Sequence, residues 1–116
     1  MKIRSERINE EMRRELAAII KNMKDPRIPL MTSVVRVDAT RDLKYAKAYI
    51  SVMGDAGKQQ ATIAHLKSAA AFIRRELGNK LELRFIPEII FVLDKSIEYG
   101  AHINKIIKEL NNEKDN

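Results

Sequence analysis

Six basic side chains between positions 58 and 84 carry the clearest chemical signal in this chain: Lys58, Lys67, Arg74, Arg75, Lys80 and Arg84. Only Glu76 and Glu82 accompany them, so the segment holds a charge of +4 and cannot neutralise itself. Ammonium and guanidinium groups at this density suit phosphate oxygens, and the planar arginine fork matches a phosphate at two points. A merely solvated face would carry more acids. Arg74 and Arg75 follow Ile73 directly and so point off the apolar seam of their helix. Arg41, Lys44 and Lys47 add cations from a second short segment. Tyr45 and Tyr49 share a strand face with Lys47, an interleaving that fits either base stacking or packing under a helix.

Catalytic constellations are hard to assemble from the remaining residues. His65 and His102 belong to different elements, and neither has a ligand-like partner four residues on. Glu10 and Glu11 share a helix face with Arg13 and Arg14, at spacings typical of solvated ion pairs. The turn Gly54-Asp55-Ala56-Gly57 precedes a helix but lacks both the Lys-Ser/Thr of a P-loop and the three-glycine dinucleotide pattern. With no cysteine, thiolate zinc sites, iron–sulfur clusters, disulfides and cysteine nucleophiles drop out together. The expectation is a non-enzyme without metal or cofactor.

The chain has 116 residues, 33% of them charged and 45% hydrophobic, the composition of one globular domain. Its net charge of +6 points to a polyanionic partner. That charge is uneven: +3 over residues 1–29, +1 over 30–57, +4 over 58–84 and −2 over 85–116. No apolar run approaches the roughly 20 residues of a membrane span, and no apolar region follows the basic N-terminus as in a signal peptide. A cytoplasmic monomer is expected.

Periodicity supplies the elements that would position the cations. Ile8, Met12, Leu16, Ile19, Ile20 and Met23 form one helical stripe over roughly 4–23, ended by Asp25-Pro26 and Pro29. Residues 33–39 and 45–53 alternate as strands, and the short polar link Thr40–Lys44 predicts an antiparallel hairpin. Ala46, Ala48, Ile50 and Val52 would face one way. Ile63, Leu66, Ala70, Ile73 and Leu77 make an unbroken seam through 58–78, with Gly78-Asn79 read as its cap. Glu88–Asp94 is a third strand, apolar enough to be covered on both faces or to pair in parallel. Ser96 would cap a last helix through Ile97, Ile103, Ile106, Ile107 and Leu110, ahead of a polar, disordered tail at 111–116. The class is α+β.

Three stretches resemble the bacterial ribosome-binding factor A family: TRDLKYAKAYISVMGD (40–55), LKSAAAFIRREL (66–77) and, most specifically, LRFIPEIIFVLDKSIEYGAHINKII (83–107). The likeness implies a type II KH-like fold, α-β-β-α-kink-α-β, spanning 1–110 as a single RNA-binding domain with a three-stranded sheet and a short C-terminal helix or arm. It places an interhelical kink at Ala69, Ala70 and Ala71, where the family commonly has glycine at the position of Ala71. It implies a non-enzymatic factor that binds the free small (30S) ribosomal subunit. It also implies help with late 16S rRNA maturation, including 5′-end processing, and support of growth in the cold. Carried onto this sequence, RNA contacts fall to Lys67, Ser68, Arg74, Arg75, Lys80 and Arg84, then to Arg41, Lys44 and Lys47, with Arg4 and Arg7 in the second rank. Two rivals remain: a general KH-like binder of single-stranded RNA, and a protein adaptor docking through the isoleucine-rich C-terminal segment.

Overall fold

The structure, a computed structural model, describes residues 2–29 and 31–95. The order is α1 (Lys2–Met23), β1 (Ser33–Ala39), β2 (Tyr45–Ser51), α2 (Ala56–Ser68), α3 (Ala70–Lys80) and β3 (Glu88–Leu93). The α+β order, with two helices between β2 and β3 and a three-stranded sheet, matches the α-β-β-α-kink-α-β order that the resemblance implies. The expected helix from Ser96 to Leu110 and the tail at 111–116 lie outside the described residues.

The sheet runs β1-β2-β3, with β2 antiparallel to β1 and parallel to β3. The hairpin turn closes through Thr40 N–H to the Tyr45 carbonyl (2.8 Å), and the Asp42 carboxylate accepts from the Thr40 hydroxyl and the Lys44 amide. Leu43 sits at a φ of +58°, the left-handed position of that turn. On β2 the alternation holds: Ala46, Ala48 and Ile50 are fully buried. On β1 a bulge at Val35 shifts the register between Val34 and Arg36. The extra residue resets the parity, so Val34 and Val37, three apart, both face the core. β3 pairs in parallel and buries Ile89 and Phe91 on one side, while Ile90 on the other is exposed. Among the described residues the helices occupy one face of the sheet, so β3 is not covered on both.

Met12, Leu16, Ile19 and Ile20 of α1, Ile63 and Leu66 of α2, and Ile73 and Leu77 of α3 fill the space against that face. The Ala39 amide donates to Asn9 Oδ1 at 3.0 Å and fastens α1 to the end of β1. Gln59, buried on α2, donates to the Val52 carbonyl at 3.2 Å, satisfying a polar group that would otherwise be orphaned.

Two expectations need correction. The seam through 58–78 belongs to two helices meeting at Ala69, not one. Gly78 and Asn79 are not a cap either, because α3 continues through them to Lys80. Gly78 serves close packing instead: a Cβ there would sit 3.2 Å from Ile86 Cγ1.

After α1, Lys24 turns the chain at a φ of +51°, and Asp25 receives the Arg27 amide (2.9 Å) and its guanidinium (2.8 and 3.0 Å). The Arg27 guanidinium, then its backbone amide, holds the Asp25 carboxyl down at about 2. A carboxyl depressed by folding stabilises the fold above its unfolded value near 3.8, and that contribution fades as pH falls toward about 2. Thermal melts of Asp25→Asn against wild type should therefore differ most above pH 5 and draw together as pH falls from about 4 through 2. A gap that stays constant across this range would contradict the role assigned to Asp25.

Candidate nucleic-acid interface

The junction between α2 and α3 is a local competition for hydrogen bonds. The Ser68 hydroxyl donates to the His65 carbonyl at 2.7 Å, which draws that carbonyl from the backbone ladder. The Ala69 amide is shared between the His65 and Leu66 carbonyls, each at 3.1 Å, and Ala69 takes φ −94° and ψ 6°. Its own carbonyl accepts from Ile73 at 2.9 Å, so α3 starts directly at the break. Ala70 is half-buried and Ala71 exposed, both already inside α3. Lys67 and Ser68 lie exposed on the last turn of α2, and Arg75 and Lys80 are exposed on α3.

Residues 81–87 form an irregular connection into β3, held from three sides. Ile86 packs on Gly78, Pro87 is fully buried, and Arg74 donates Nε (3.1 Å) and Nη2 (2.8 Å) to the Ile86 carbonyl. Arg74 therefore has a structural partner, which the sequence did not reveal. Arg84 lies over the ring of Phe85, its guanidinium carbon 5.4 Å from the centroid. Glu88, the first residue of β3, donates its amide to the Lys44 carbonyl at 2.9 Å. That bond and the Tyr45–Glu88 register bring the hairpin turn, with exposed Arg41 and Lys44, to the same end of the sheet as this connection.

Not every candidate belongs to this end. Lys47 stands on the sheet face opposite the helices, and Arg7 is exposed on α1. Arg4 falls in the first turn of α1. Tyr49 is engaged from across the hairpin: Arg36 sits 4.2 Å above its ring and also pairs with Asp38 at 3.4 Å. Strand register, invisible in composition, made Arg36 rather than Lys47 its partner. Tyr45 is 47% exposed.

The electrostatics follow from who is paired. The ion pairs among the described residues are Arg13–Glu10, Arg27–Asp25 and Arg36–Asp38. Lys67, Arg75, Lys80 and Arg84 are in none of them. The other sites the sequence raised are occupied or dispersed. Asp55 caps α2 by accepting from the Lys58 amide at 2.8 Å, so a carboxylate already fills that helix N-terminus. Among the described residues no group of three His, Asp or Glu side chains is placed to hold a metal ion, and no helix is long and apolar enough to cross a membrane.

A model of the family described as ribosome-binding factor A matches residues 4–107. Ribosome-binding factor A of Caldanaerobacter subterraneus subsp. tengcongensis is 48% identical over 112 residues, covering 96% of this chain and 92% of that protein. A Thermotoga maritima protein solved by solution NMR superposes with a TM-score of 0.70 at 30% identity, covering 78% of this chain and 87% of that one. A homology model of Thermus thermophilus ribosome-binding factor A, as fitted into the cryo-EM map of a complex with the 30S subunit, superposes with a TM-score of 0.62 at 20% identity, over 75% of this chain and 91% of that one.

If Arg74 is the clamp on the connection, Arg74→Ala should cost about 1 kcal/mol of stability, since both lost bonds go to one exposed carbonyl. Hydrogen exchange should accelerate at Glu88, whose amide bond to Lys44 depends on the same backbone. Unchanged exchange there would contradict the clamp.

Proposed function

Because the chain belongs to the ribosome-binding factor A family, we propose that it is a ribosome assembly factor that binds the free small (30S) subunit. In this reading it assists late maturation of 16S rRNA, including 5′-end processing, and supports growth in the cold. It acts as a cytoplasmic monomer without cofactor or chemical step, residues 1–110 serving as one RNA-binding unit. The observation that carries this reading is the set of exposed cations around the α2–α3 junction with no carboxylate partner among the described residues. Charges left unpaired add little to the stability of a fold. They are available to phosphates, where each neutralised contact releases condensed counterions. The Thermus relative's complex with a 30S subunit supports the choice of particle.

Lys67, Ser68, Arg75, Lys80 and Arg84 would meet the rRNA backbone directly, and Arg74 would act through the connection it holds. Arg41 and Lys44 would extend the contact from the hairpin, with Lys47, Arg7 and Arg4 outside its centre. The mechanism is differential affinity: the factor shifts an rRNA conformation only as far as it binds one state better than the other. A second reading, a general binder of single-stranded RNA, draws on exposed Tyr45 beside Lys47 on the uncovered sheet face.

The double variant Arg75→Glu, Lys80→Glu should lose about 2 kcal/mol of small-subunit affinity, roughly thirtyfold, while melting as wild type does. Cells carrying it as their sole copy should accumulate 5′-extended 16S rRNA, most visibly in the cold. A folded double variant that still pellets with small subunits as wild type does would contradict this site.

A further inference from the structure

Phe85 is the most exposed large hydrophobic residue among those described, at 70%. A mobile tip would explain such exposure, but this backbone is anchored. Immediately after Phe85, the Ile86 carbonyl takes two N–H bonds from Arg74, the Ile86 side chain packs on Gly78, and Pro87 is fully buried. Before it, the Leu81 amide bonds to the Leu77 carbonyl at 2.9 Å, and Leu81 and Leu83 are half-buried. The fold thus holds an aromatic ring out in water on a fixed mount, and the ring adds nothing to the hydrophobic core.

Its surroundings indicate what it receives. Arg84 lies against the ring. Lys80 precedes it by five positions, and Arg41 and Lys44 project from the hairpin turn at the same sheet end. Glu82, Glu88 and Asp42 of the same turn are the acids at this end, three against the four cations Arg41, Lys44, Lys80 and Arg84. An exposed ring with arginine against it and lysines around it matches the way proteins hold an unpaired nucleotide, with the base on the ring and the phosphates on the cations. We propose that Phe85 is a stacking post for one unpaired base of the bound rRNA, with Arg84 completing the stack and fixing the ring's orientation. This inference rests on the small-subunit rRNA reading above and adds a base contact to a phosphate contact.

The chain has no tryptophan, which permits a direct test. Phe85→Trp introduces a single indole at the post. On titration with free small subunits, and separately with a short unstructured RNA oligonucleotide, its fluorescence should be quenched as a base stacks on it. Phe85→Tyr and Phe85→Trp should keep near wild-type affinity for small subunits, while Phe85→Ala and Phe85→Leu should each lose about tenfold. Circular dichroism melts should be alike for all four, because the ring is outside the core.

Three results would overturn the proposal. One is Phe85→Ala binding small subunits as wild type does, which leaves the small-subunit reading intact. Another is full affinity in Phe85→Leu together with a blue shift of the indole on small subunits alone, which would mean an apolar socket in a ribosomal protein. The third is a wild-type protein that ignores small subunits, which removes the small-subunit reading as well.

Discussion

The parallel pairing of β2 with β3 governs the geometry of the molecule. Two adjacent parallel strands must both start at the same end of the sheet, so the chain has to return from the end of β2 to its beginning. The return is made by residues 52–87, which contain α2 and α3. A single straight helix over 56–80 would be about 37 Å long, whereas the seven residues of β2 span only about 23 Å. The crossover is divided into two helices at Ala69, where the Ser68 hydroxyl takes a share of the His65 carbonyl. The break that marks the candidate interface is thus also what lets the helices cover the sheet.

Stability and recognition are divided between different groups. The core is largely aliphatic, built on Met12, Leu16, Ile50, Leu66, Ile73 and Leu77, and its polar members Gln59 and Thr62 are hydrogen-bonded to backbone carbonyls. Two alanines, Ala46 and Ala48, sit at the buried face of the central strand and leave room for the larger side chains of the helices above. Among the cations of the candidate interface, Arg74 is drawn into the architecture, holding the connection before β3. Lys67, Arg75, Lys80 and Arg84 take no part in an ion pair with any described residue. A surface whose charges do no internal work is suited to a polyanion.

Much of this was legible in the sequence, and the exceptions have physical causes. The stripe of α1, the Thr40–Lys44 hairpin and the inward set of β2 follow from spacing alone, because each buries one face by a regular period. The break at Ala69 did not, since Ile63, Leu66, Ala70, Ile73 and Leu77 keep helical spacing across it and both helices bury that side. Ser68 was the local signal, through its capacity to compete for a carbonyl. Gly78 was misread because a glycine near a helix end serves as a cap or as a close-packing site, and only the position of Ile86 decides. The bulge at Val35, the Arg36–Tyr49 stack, the Arg74 clamp and the exposure of Phe85 depend on which segments meet. Register and tertiary contact settle those, and periodicity carries neither.

In the function proposed above, this chain recognises the free small subunit chiefly through phosphates met by the cations around the α2–α3 junction. Its most direct test is co-sedimentation with separated small subunits, large subunits and joined ribosomes over a salt series. Pelleting should be selective for free small subunits, with a log–log salt slope of about −3 to −4, the value for some four phosphate contacts. Equal pelleting with all three particles, or an affinity indifferent to salt, would contradict it.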